Sequence, residues 1–133
     1  MTPRPVPDAD TAPFWEGVAA GELRLQRCGG CERAVFYPRA VCPHCWGADL
    51  AWFAASGDGT IYSYTVAHRA FGDFAEEVPF TIALVDLDEG VRMMTRVTGS
   101  GRPRIGDRVR LDITQVADDL TLPYFRLAGR EDA

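Results

Sequence analysis

The chain has 133 residues, which fits one domain or one small barrel with a small appendage. Hydrophobic residues make up 47% of it, enough to bury a core, and this excludes wholesale disorder. The formal net charge of −5 argues against a general nucleic-acid binder, because such proteins usually carry a basic footprint. All 14 basic residues are arginines, so Schiff-base and P-loop lysine chemistry is excluded.

No membrane or export segment is evident in the sequence. No apolar run reaches the roughly 18 residues that a transmembrane helix needs. Residues 1–10 are polar and rich in proline, unlike a secretory signal. We therefore expect a cytoplasmic protein that does not bind a membrane. Cytosolic thiols stay reduced, so closely spaced cysteines there hold a metal more often than they form disulfides.

A short helix is predicted for the stretch "DTAPFWEGVAAGEL", residues 10–23. Asp10 or Thr11 would cap it, Pro13 lies near its first turn, and Gly21 would end it. A helix this short gains most of its stability from the surface that it packs against. It therefore either packs on its own barrel or docks on another protein.

Two C-x2-C pairs, with ten residues between them, contain all of the cysteines: Cys28, Cys31, Cys42 and Cys45. Zn²⁺ takes four tetrahedral ligands in structural sites, and thiolates suit it. The spacing predicts a zinc ribbon, in which two knuckles are joined by a β-hairpin that turns at residues 37–39. Because four cysteines fill the coordination shell, the zinc would be structural and not catalytic.

Other interpretations of the cysteines remain open. Iron is the alternative metal, because "CPHC" followed by Trp-Gly resembles a rubredoxin knuckle. A redox-active C-x2-C pair is the second alternative. His44 lies inside the second knuckle, and we interpret it as a solvent-facing side chain and not as a fifth ligand.

From Leu50 onward the pattern is that of β-strands, and five or six strands in about 80 residues favour a small closed barrel. The continuous apolar run in residues 80–88 predicts a strand buried on both faces, followed by a hairpin turn at residues 88–90. We divide the chain into a tail and helix (1–21), a zinc ribbon (22–50) and a barrel (51–133). The candidate barrel strands are "GTIYSYTVAH", "FTIALVDLD", "GVRMMTRVT", "DRVRLDITQV" and "LPYFRLAG".

Little catalytic chemistry is evident in the rest of the chain. Nucleophilic catalysis needs a nucleophile beside a base, and His68 is the one histidine outside the cysteine segment. We interpret it as a loop residue, and a stand-alone enzyme using His68 is an alternative. A third possibility is an oligonucleotide-binding barrel with a small stacking groove. Its candidate residues are Tyr62, Tyr64, Arg92 and Arg96.

Aromatic residues outside the strands are candidate anchors for a partner protein, because exposed aromatic patches mark interfaces. They are Phe14 and Trp15 on the helix, and Phe71 and Phe74 in the loop "HRAFGDFAEEVPF".

Over roughly residues 12–128 the chain resembles the domain-of-unknown-function 35 family. The resemblance lies in the order of these segments: "FWEGVAAGEL", "RCGGC", "FYPRAVCPHC", "GTIYSYTVAHRAF", "VPFTIALVDLDEGVRMMTRV", "IGDRVRL" and "LPYFRLAG". The resemblance implies a mainly β fold: a short N-terminal helix, a rubredoxin-like zinc ribbon and an OB-fold barrel of five to six strands. The family's metal positions match all four cysteines of this chain.

The resemblance also implies a function. Family members pair with thiolase-superfamily enzymes, including acyltransferases and lipid-transfer-protein-like aldolases, and some work with hotdog-fold enoyl-CoA hydratases in steroid side-chain degradation. It therefore implies a non-catalytic subunit of a hetero-oligomer acting on acyl-CoA, with no catalytic residue of its own. In such a complex Arg102 and Arg104 are candidates to contact CoA phosphates.

Overall fold

The computed structural model describes residues 5–99 and 101–128. This part of the chain is mainly β, as predicted, and none of its helices is long and apolar enough to cross a membrane. A 3₁₀ helix, Gly72–Glu76, lies between the fourth and fifth strands. The other elements are α1 (Ala12–Ala19), β1 (Arg24–Cys28), β2 (Ala34–Val35), β3 (Leu50–Ala54), β4 (Asp58–Ala67), β5 (Phe80–Leu87), β6 (Arg92–Thr98), β7 (Arg108–Ala117) and β8 (Leu120–Leu127).

The predicted N-terminal helix is confirmed as α1, which begins after Thr11. The Asp8 carboxylate accepts a hydrogen bond from the Thr11 N–H at 2.9 Å, and the Thr11 hydroxyl accepts one from the Asp8 N–H at 3.0 Å. These two bonds form the turn that leads into the helix. Phe14 and Val18 are buried, and α1 packs against β1 and β8. The helix therefore packs on its own protein, the first of the two arrangements expected for it.

The first three strands form an antiparallel sheet in the order β2-β1-β3. The prediction of a hairpin between the two knuckles is wrong: β1 and β2 lie on either side of the first knuckle, and residues 36–49 contain no strand. The buried side chain of Gln26 holds part of this segment without a strand. Its amide donates to the Arg39 carbonyl and accepts from the Arg39 N–H, both at 2.9 Å. These two bonds tie residue 39 to β1, which already pairs with a strand on each side.

The last five strands form a closed barrel in the order β4-β5-β6-β8-β7. Neighbouring strands are antiparallel except β6 and β8, which are parallel. The predicted β5–β6 hairpin is confirmed, with Gly90 in the turn at φ 99°. β5 is not buried on both faces as expected: Ala83, Val85 and Leu87 are buried and alternate with half-buried residues. The outer face of the barrel is not covered by a second layer at this strand.

Two clusters of buried residues hold the fold together. The larger joins α1, β1 and the barrel, and it includes Phe14, Leu25, Val85 and Phe125. The smaller contains Cys28, Val35 and Cys42, with Cys31 and Leu50 against it. The tip of the ribbon therefore has its own small core, in which the cysteines are the main members. The proposed boundary between ribbon and barrel at residues 50 and 51 falls within β3 and stays a prediction.

Candidate metal centre and docking surface

The four cysteines converge at one point. Their Sγ atoms all lie within 4.8 Å of one another. The Cys28–Cys45 and Cys31–Cys42 sulfur pairs are 3.5 and 3.7 Å apart. A tetrahedral ion with Zn–S bonds of about 2.3 Å places its sulfurs roughly 3.8 Å apart, so the residues fit one tetrahedral metal ion.

Each knuckle directs backbone N–H groups at its own sulfur. The Gly30 N–H lies 3.3 Å from Cys28 Sγ, and the His44 N–H lies 3.3 Å from Cys42 Sγ. Such bonds favour thiolates and orient them. The exposed His44 ring instead approaches Arg33, with 3.4 Å between Nδ1 and NH1. The ligand cluster found among the described residues consists of cysteines alone.

The residue after each second cysteine closes its knuckle in the left-handed conformation. Glu32 has φ 67° and Trp46 has φ 66°. Their N–H groups donate to the carbonyl oxygens of Cys28 and Cys42, at 2.7 and 2.9 Å. The two knuckles thus have the same backbone design, although their sequences differ.

The electrostatics of the cluster suit a bound cation. Hydrogen bonds from the backbone N–H groups of Cys31 and Gly30 lower the pKa of the Cys28 thiol to about 7, against the effect of burial. At Cys45 the backbone N–H of Gly47 favours the thiolate, but the neighbouring thiols and burial outweigh it and raise the pKa to about 11. Four sulfurs this close cannot all be negative unless a positive ion compensates them. The donor set therefore fits a thiophilic metal that fills a structural site.

An apolar groove of about 240 Å³ lies where the helix, ribbon and barrel meet, and we call it the junction groove. Trp15 is half-buried in its wall, and the exposed side chain of Met94 borders it. The prediction that Phe14 is a surface anchor fails on burial, because its ring is 2% exposed and supports Trp15 in an edge-to-face contact at 5.0 Å. The groove is lined by Phe14, Trp15, Phe36, Tyr37, Met93, Met94, Thr95, Arg96, Leu122, Pro123 and Tyr124.

The other two candidate anchors lie on the loop between β4 and β5. Phe71 is 95% exposed, whereas Phe74 is half-buried with its ring 6.5 Å from that of Phe80. The loop residues do not line the junction groove. Sequence analysis did not identify Met94 or Tyr37 as candidate docking residues, although they are 69% and 45% exposed. Strand alternation predicts the exposure of Met94, because successive side chains point to opposite faces of a strand and an inward Met93 therefore places Met94 outward.

The residues proposed for nucleic-acid stacking are already engaged within the chain. Arg92 lies 3.5 Å from the centre of the Tyr62 ring and 2.6 Å from the Asp86 carboxylate. Arg96 lies 2.6 Å from the Glu77 carboxylate. A phosphate would have to displace a carboxylate from either arginine, which lowers its net attraction. That the chain does not bind nucleic acid stays a prediction.

His68 is exposed and lines an open groove of about 610 Å³ together with Arg102. Among the described residues that line this groove there is no carboxylate to orient the imidazole and no serine or cysteine nucleophile. Arg104 lies on the following turn, where its guanidinium is 3.9 Å from the Asp107 carboxylate. The roles proposed for Arg102 and Arg104 stay predictions.

Comparison with known proteins agrees with this architecture. Residues 15–51 match the model "ChsH2, rubredoxin-like zinc ribbon domain", and residues 52–114 match "ChsH2, C-terminal OB-fold domain". A chain of the solved structure "Ltp2-ChsH2(DUF35) aldolase" is 38% identical, with a TM-score of 0.85 over 95% of this chain and 100% of that one. The chain belongs to the DUF35 family.

Two curated relatives of this DUF35 chain are hydratase subunits by name. The "Probable enoyl-CoA hydratase alpha subunit" of Thermomonospora curvata is 38% identical over 96% of this chain. The "3-oxo-4,17-pregnadiene-20-carboxyl-CoA hydratase alpha subunit" of Mycobacterium tuberculosis is 39% identical over 77% of it. The DUF35 chain spans 40% and 32% of the lengths of these two relatives.

Proposed function

We propose that this DUF35 protein is a non-catalytic accessory subunit of a thiolase-superfamily enzyme that acts on an acyl-CoA. The observation that carries the proposal is the full-length similarity to the ChsH2(DUF35) chain of a solved aldolase with Ltp2. A lipid-transfer-protein-like aldolase is therefore the first candidate partner, and a thiolase or acyltransferase is the alternative within the same superfamily.

The chemistry of the chain supports an accessory role. Its cysteines form a closed four-thiolate site, which leaves no coordination position for substrate. His68 lines a groove whose described residues supply no partner for acid–base work. Structural zinc in the ribbon would keep the shape of the subunit, and the partner would carry out the reaction.

The exposed apolar residues supply places where a partner can dock. Trp15 lies in the junction groove and rests on the buried ring of Phe14, which fixes it in one orientation. Phe71 and Phe74 offer a second contact on the β4–β5 loop. Rigid aromatic anchors of this kind dominate interface energetics. We assign Trp15, Phe71 and Phe74 as contacts in the hetero-oligomer.

The substrate class is proposed at two levels. The names of the hydratase relatives both contain CoA, and one names a steroid side-chain acid, so steroid or lipid side chains are the proposed acyl groups. A hotdog-fold enoyl-CoA hydratase is a proposed further partner. Arg102, which lines the groove with His68, and Arg104 on the next turn are the proposed contacts for CoA phosphates.

The proposal is tested by co-expressing the chain with a thiolase-superfamily protein from the same genome, a lipid-transfer-protein-like aldolase first. We expect the two to copurify, and we expect cleavage or formation of the acyl-CoA carbon–carbon bond to require both. The matched control is the chain with Cys42→Ala, which removes one metal ligand. A partner that is soluble and fully active alone contradicts the proposed function.

A further inference from the structure

The second knuckle presents a tryptophan to solvent at a backbone position that disfavours it. Trp46 is 80% exposed and has φ 66°. Bulky residues adopt this left-handed conformation much less readily than glycine does. Among the described residues, no aromatic or cationic group stacks on its indole. Because the indole is 80% exposed and makes no such contact with the described residues, these residues offer it little packing that would offset the strain.

The metal site does not explain the tryptophan either. The first knuckle has the same turn, and there the equivalent position is Glu32, at φ 67°. Both residues contribute only a backbone N–H to the knuckle, through bonds to Cys28 and Cys42. A glutamate closes one knuckle in the same conformation in which a tryptophan closes the other. The knuckle turn therefore does not require the aromatic ring of Trp46.

A cation lies beside the tryptophan's knuckle. The Arg33 guanidinium reaches across from the first knuckle to the exposed ring of His44. Within residues 5–99 and 101–128, no carboxylate pairs with Arg33. Val41, on the other side of Cys42, is 40% exposed. We call Arg33, Val41, His44 and Trp46 the knuckle patch. Six arginines outside it do have carboxylate partners: Arg24, Arg92, Arg96, Arg104, Arg108 and Arg110.

We propose that the knuckle patch is a second docking surface for the partner enzyme, in which Trp46 enters an apolar pocket and Arg33 pairs with a carboxylate at the rim of that pocket. Tryptophan and arginine are the residues most enriched at interface hot spots. The acidic rim follows from charge complementarity, since Arg33 has no carboxylate partner of its own among the described residues.

The junction groove and the knuckle patch are linked along the chain by residues 37–46. Tyr37 lines the groove, and its carbonyl accepts a hydrogen bond from Arg39 Nε at 2.9 Å. The chain then runs through Val41 into the second knuckle. This continuous segment connects the two surfaces, and so the inference rests on the proposed function and extends its contact area to the ribbon.

The test measures the affinity of Trp46→Gly for the purified thiolase-superfamily protein with which the wild-type chain copurifies. Glycine suits φ 66°, so the variant is expected to keep its metal and to unfold at the same or a higher temperature. Its Kd for the partner is expected to rise at least tenfold. A packing role for the indole predicts the opposite pair of results, with lower stability at unchanged affinity.

Charge variants test the acidic rim. Arg33→Glu is expected to weaken binding more than Arg33→Ala, because it places two carboxylates together. A role of Arg33 in compensating the negative charge of the thiolates would change the metal content. We therefore measure the metal content of both variants to separate that role from docking. Glu32→Ala is the matched control, since it changes the same backbone position on the other knuckle and is expected to bind like the wild type.

The outcomes are distinguishable. A wild-type chain that copurifies with none of the thiolase-superfamily proteins of its genome contradicts the proposed function, and the patch proposal with it. Wild-type binding that Trp46→Gly and Arg33→Glu leave unchanged overturns the patch proposal alone. Two further outcomes would assign the patch to another occupant and also overturn the proposal. In the first, the wild-type chain forms a homodimer that Trp46→Gly dissociates. In the second, the wild-type chain binds labelled single-stranded RNA and Trp46→Gly abolishes that binding.

Discussion

The guanidinium of Arg96 holds the carboxylate of Glu77 at 2.6 Å and thereby ties the β4–β5 loop to the barrel wall. The Arg96 side chain is 16% exposed, and it lies 4.0 Å from the centre of the Phe80 ring and 5.4 Å from that of Tyr124. Stacking on two rings fixes the direction of the guanidinium. The contact therefore restrains the loop on which Phe71 is exposed.

Breaking this contact should loosen the loop while the barrel stays folded. Glu77→Gln removes the charge and keeps the shape, so we expect faster amide hydrogen exchange in residues 71–78. The loss of global stability should not exceed about 1 kcal/mol, because Glu77 is exposed to solvent. Exchange followed by mass spectrometry checks both points. Glu76→Gln is the control, and equal exchange in the two variants contradicts the role of the ion pair.

The metal prediction is one zinc ion per chain, measured by elemental analysis of the purified protein. The four sulfurs match a single tetrahedral ion, and zinc accepts four thiolates in structural sites. A stoichiometric iron content, or a metal-free protein with intact disulfides, contradicts it.

Removal of a metal ligand should unfold the ribbon tip selectively. In Cys42→Ala we expect residues 28–50 to lose protection from hydrogen exchange while the barrel keeps its β circular dichroism signal. The reason is that Cys28, Val35 and Cys42 form a core separate from that of the barrel. Loss of the whole β signal would show instead that the two units fold as one.

Asp88 gives the fold a component of stability that depends on pH. Both of its carboxylate oxygens accept hydrogen bonds from Arg108 at 2.9 Å, and these bonds lower the pKa of Asp88 below its usual value. A lowered pKa in the folded state means that the stabilisation is present above the unfolded value of about 4 and is lost as the pH falls through the folded value.

Asp88→Asn should therefore reduce stability at pH 7 by no more than about 1 kcal/mol, since the pair is exposed, and should have less effect near pH 3. Urea unfolding at the two pH values measures the difference. Asp10→Asn, an exposed aspartate near the helix, is the control. An Asp88→Asn effect of the same size at both pH values rules out the ion pair as its cause.

The close approach of β4 and β5 depends on Gly59. A Cβ atom there would lie 2.7 Å from Val85 Cγ1 and 2.9 Å from the Asp86 carbonyl oxygen. Gly59→Ala should therefore destabilise the barrel by about 1–3 kcal/mol, as overpacking does elsewhere. Urea unfolding measures this. Gly30→Ala is the control, because its Cβ would meet Cys28 Sγ at an ordinary 3.6 Å, and equal losses would contradict the argument.

Local patterns predicted much of the fold, and pairing between distant segments limited the rest. The cysteine spacing predicted the metal cluster, and the turn at residues 88–90 predicted the β5–β6 hairpin. The ribbon sheet was missed because β3 pairs with β1 across the whole metal segment. The contact of Gln26 with Arg39, which ties the segment after β2 to β1, likewise joins residues 13 apart and leaves no local pattern.

The candidate docking residues show a second limit. Aromatic residue type does not reveal whether a ring is buried: Phe14 is 2% exposed and Phe71 is 95% exposed, although both were predicted to be anchors. Sequence analysis did not identify Trp46 as a candidate docking residue, although the sequence contains a pattern that singles it out. Two C-x2-C knuckles require similar turns, so comparing the residues after Cys31 and Cys45 singles out the tryptophan.

The last prediction concerns the anchors of the complex. Trp15→Ala and Phe71→Ala should each raise the Kd for the thiolase-superfamily partner by about 30-fold if each ring is a hot spot, since such residues contribute about 2 kcal/mol or more. Ile105→Ala, which removes a side chain that is 68% exposed on the turn before β7, is the control and should bind normally.

Because Trp15 is half-buried against Phe14, its loss can also disturb α1. Trp15→Phe keeps an apolar ring in the junction groove and separates the two effects. Trp15→Phe should keep the melting temperature of the wild type and lose only part of the affinity for the partner. If Trp15 had a purely structural role, every variant with a normal melting temperature would bind the partner with normal affinity. Wild-type affinity in Phe71→Ala and in Trp15→Ala, each folded by circular dichroism, would mean that the partner docks elsewhere on the protein.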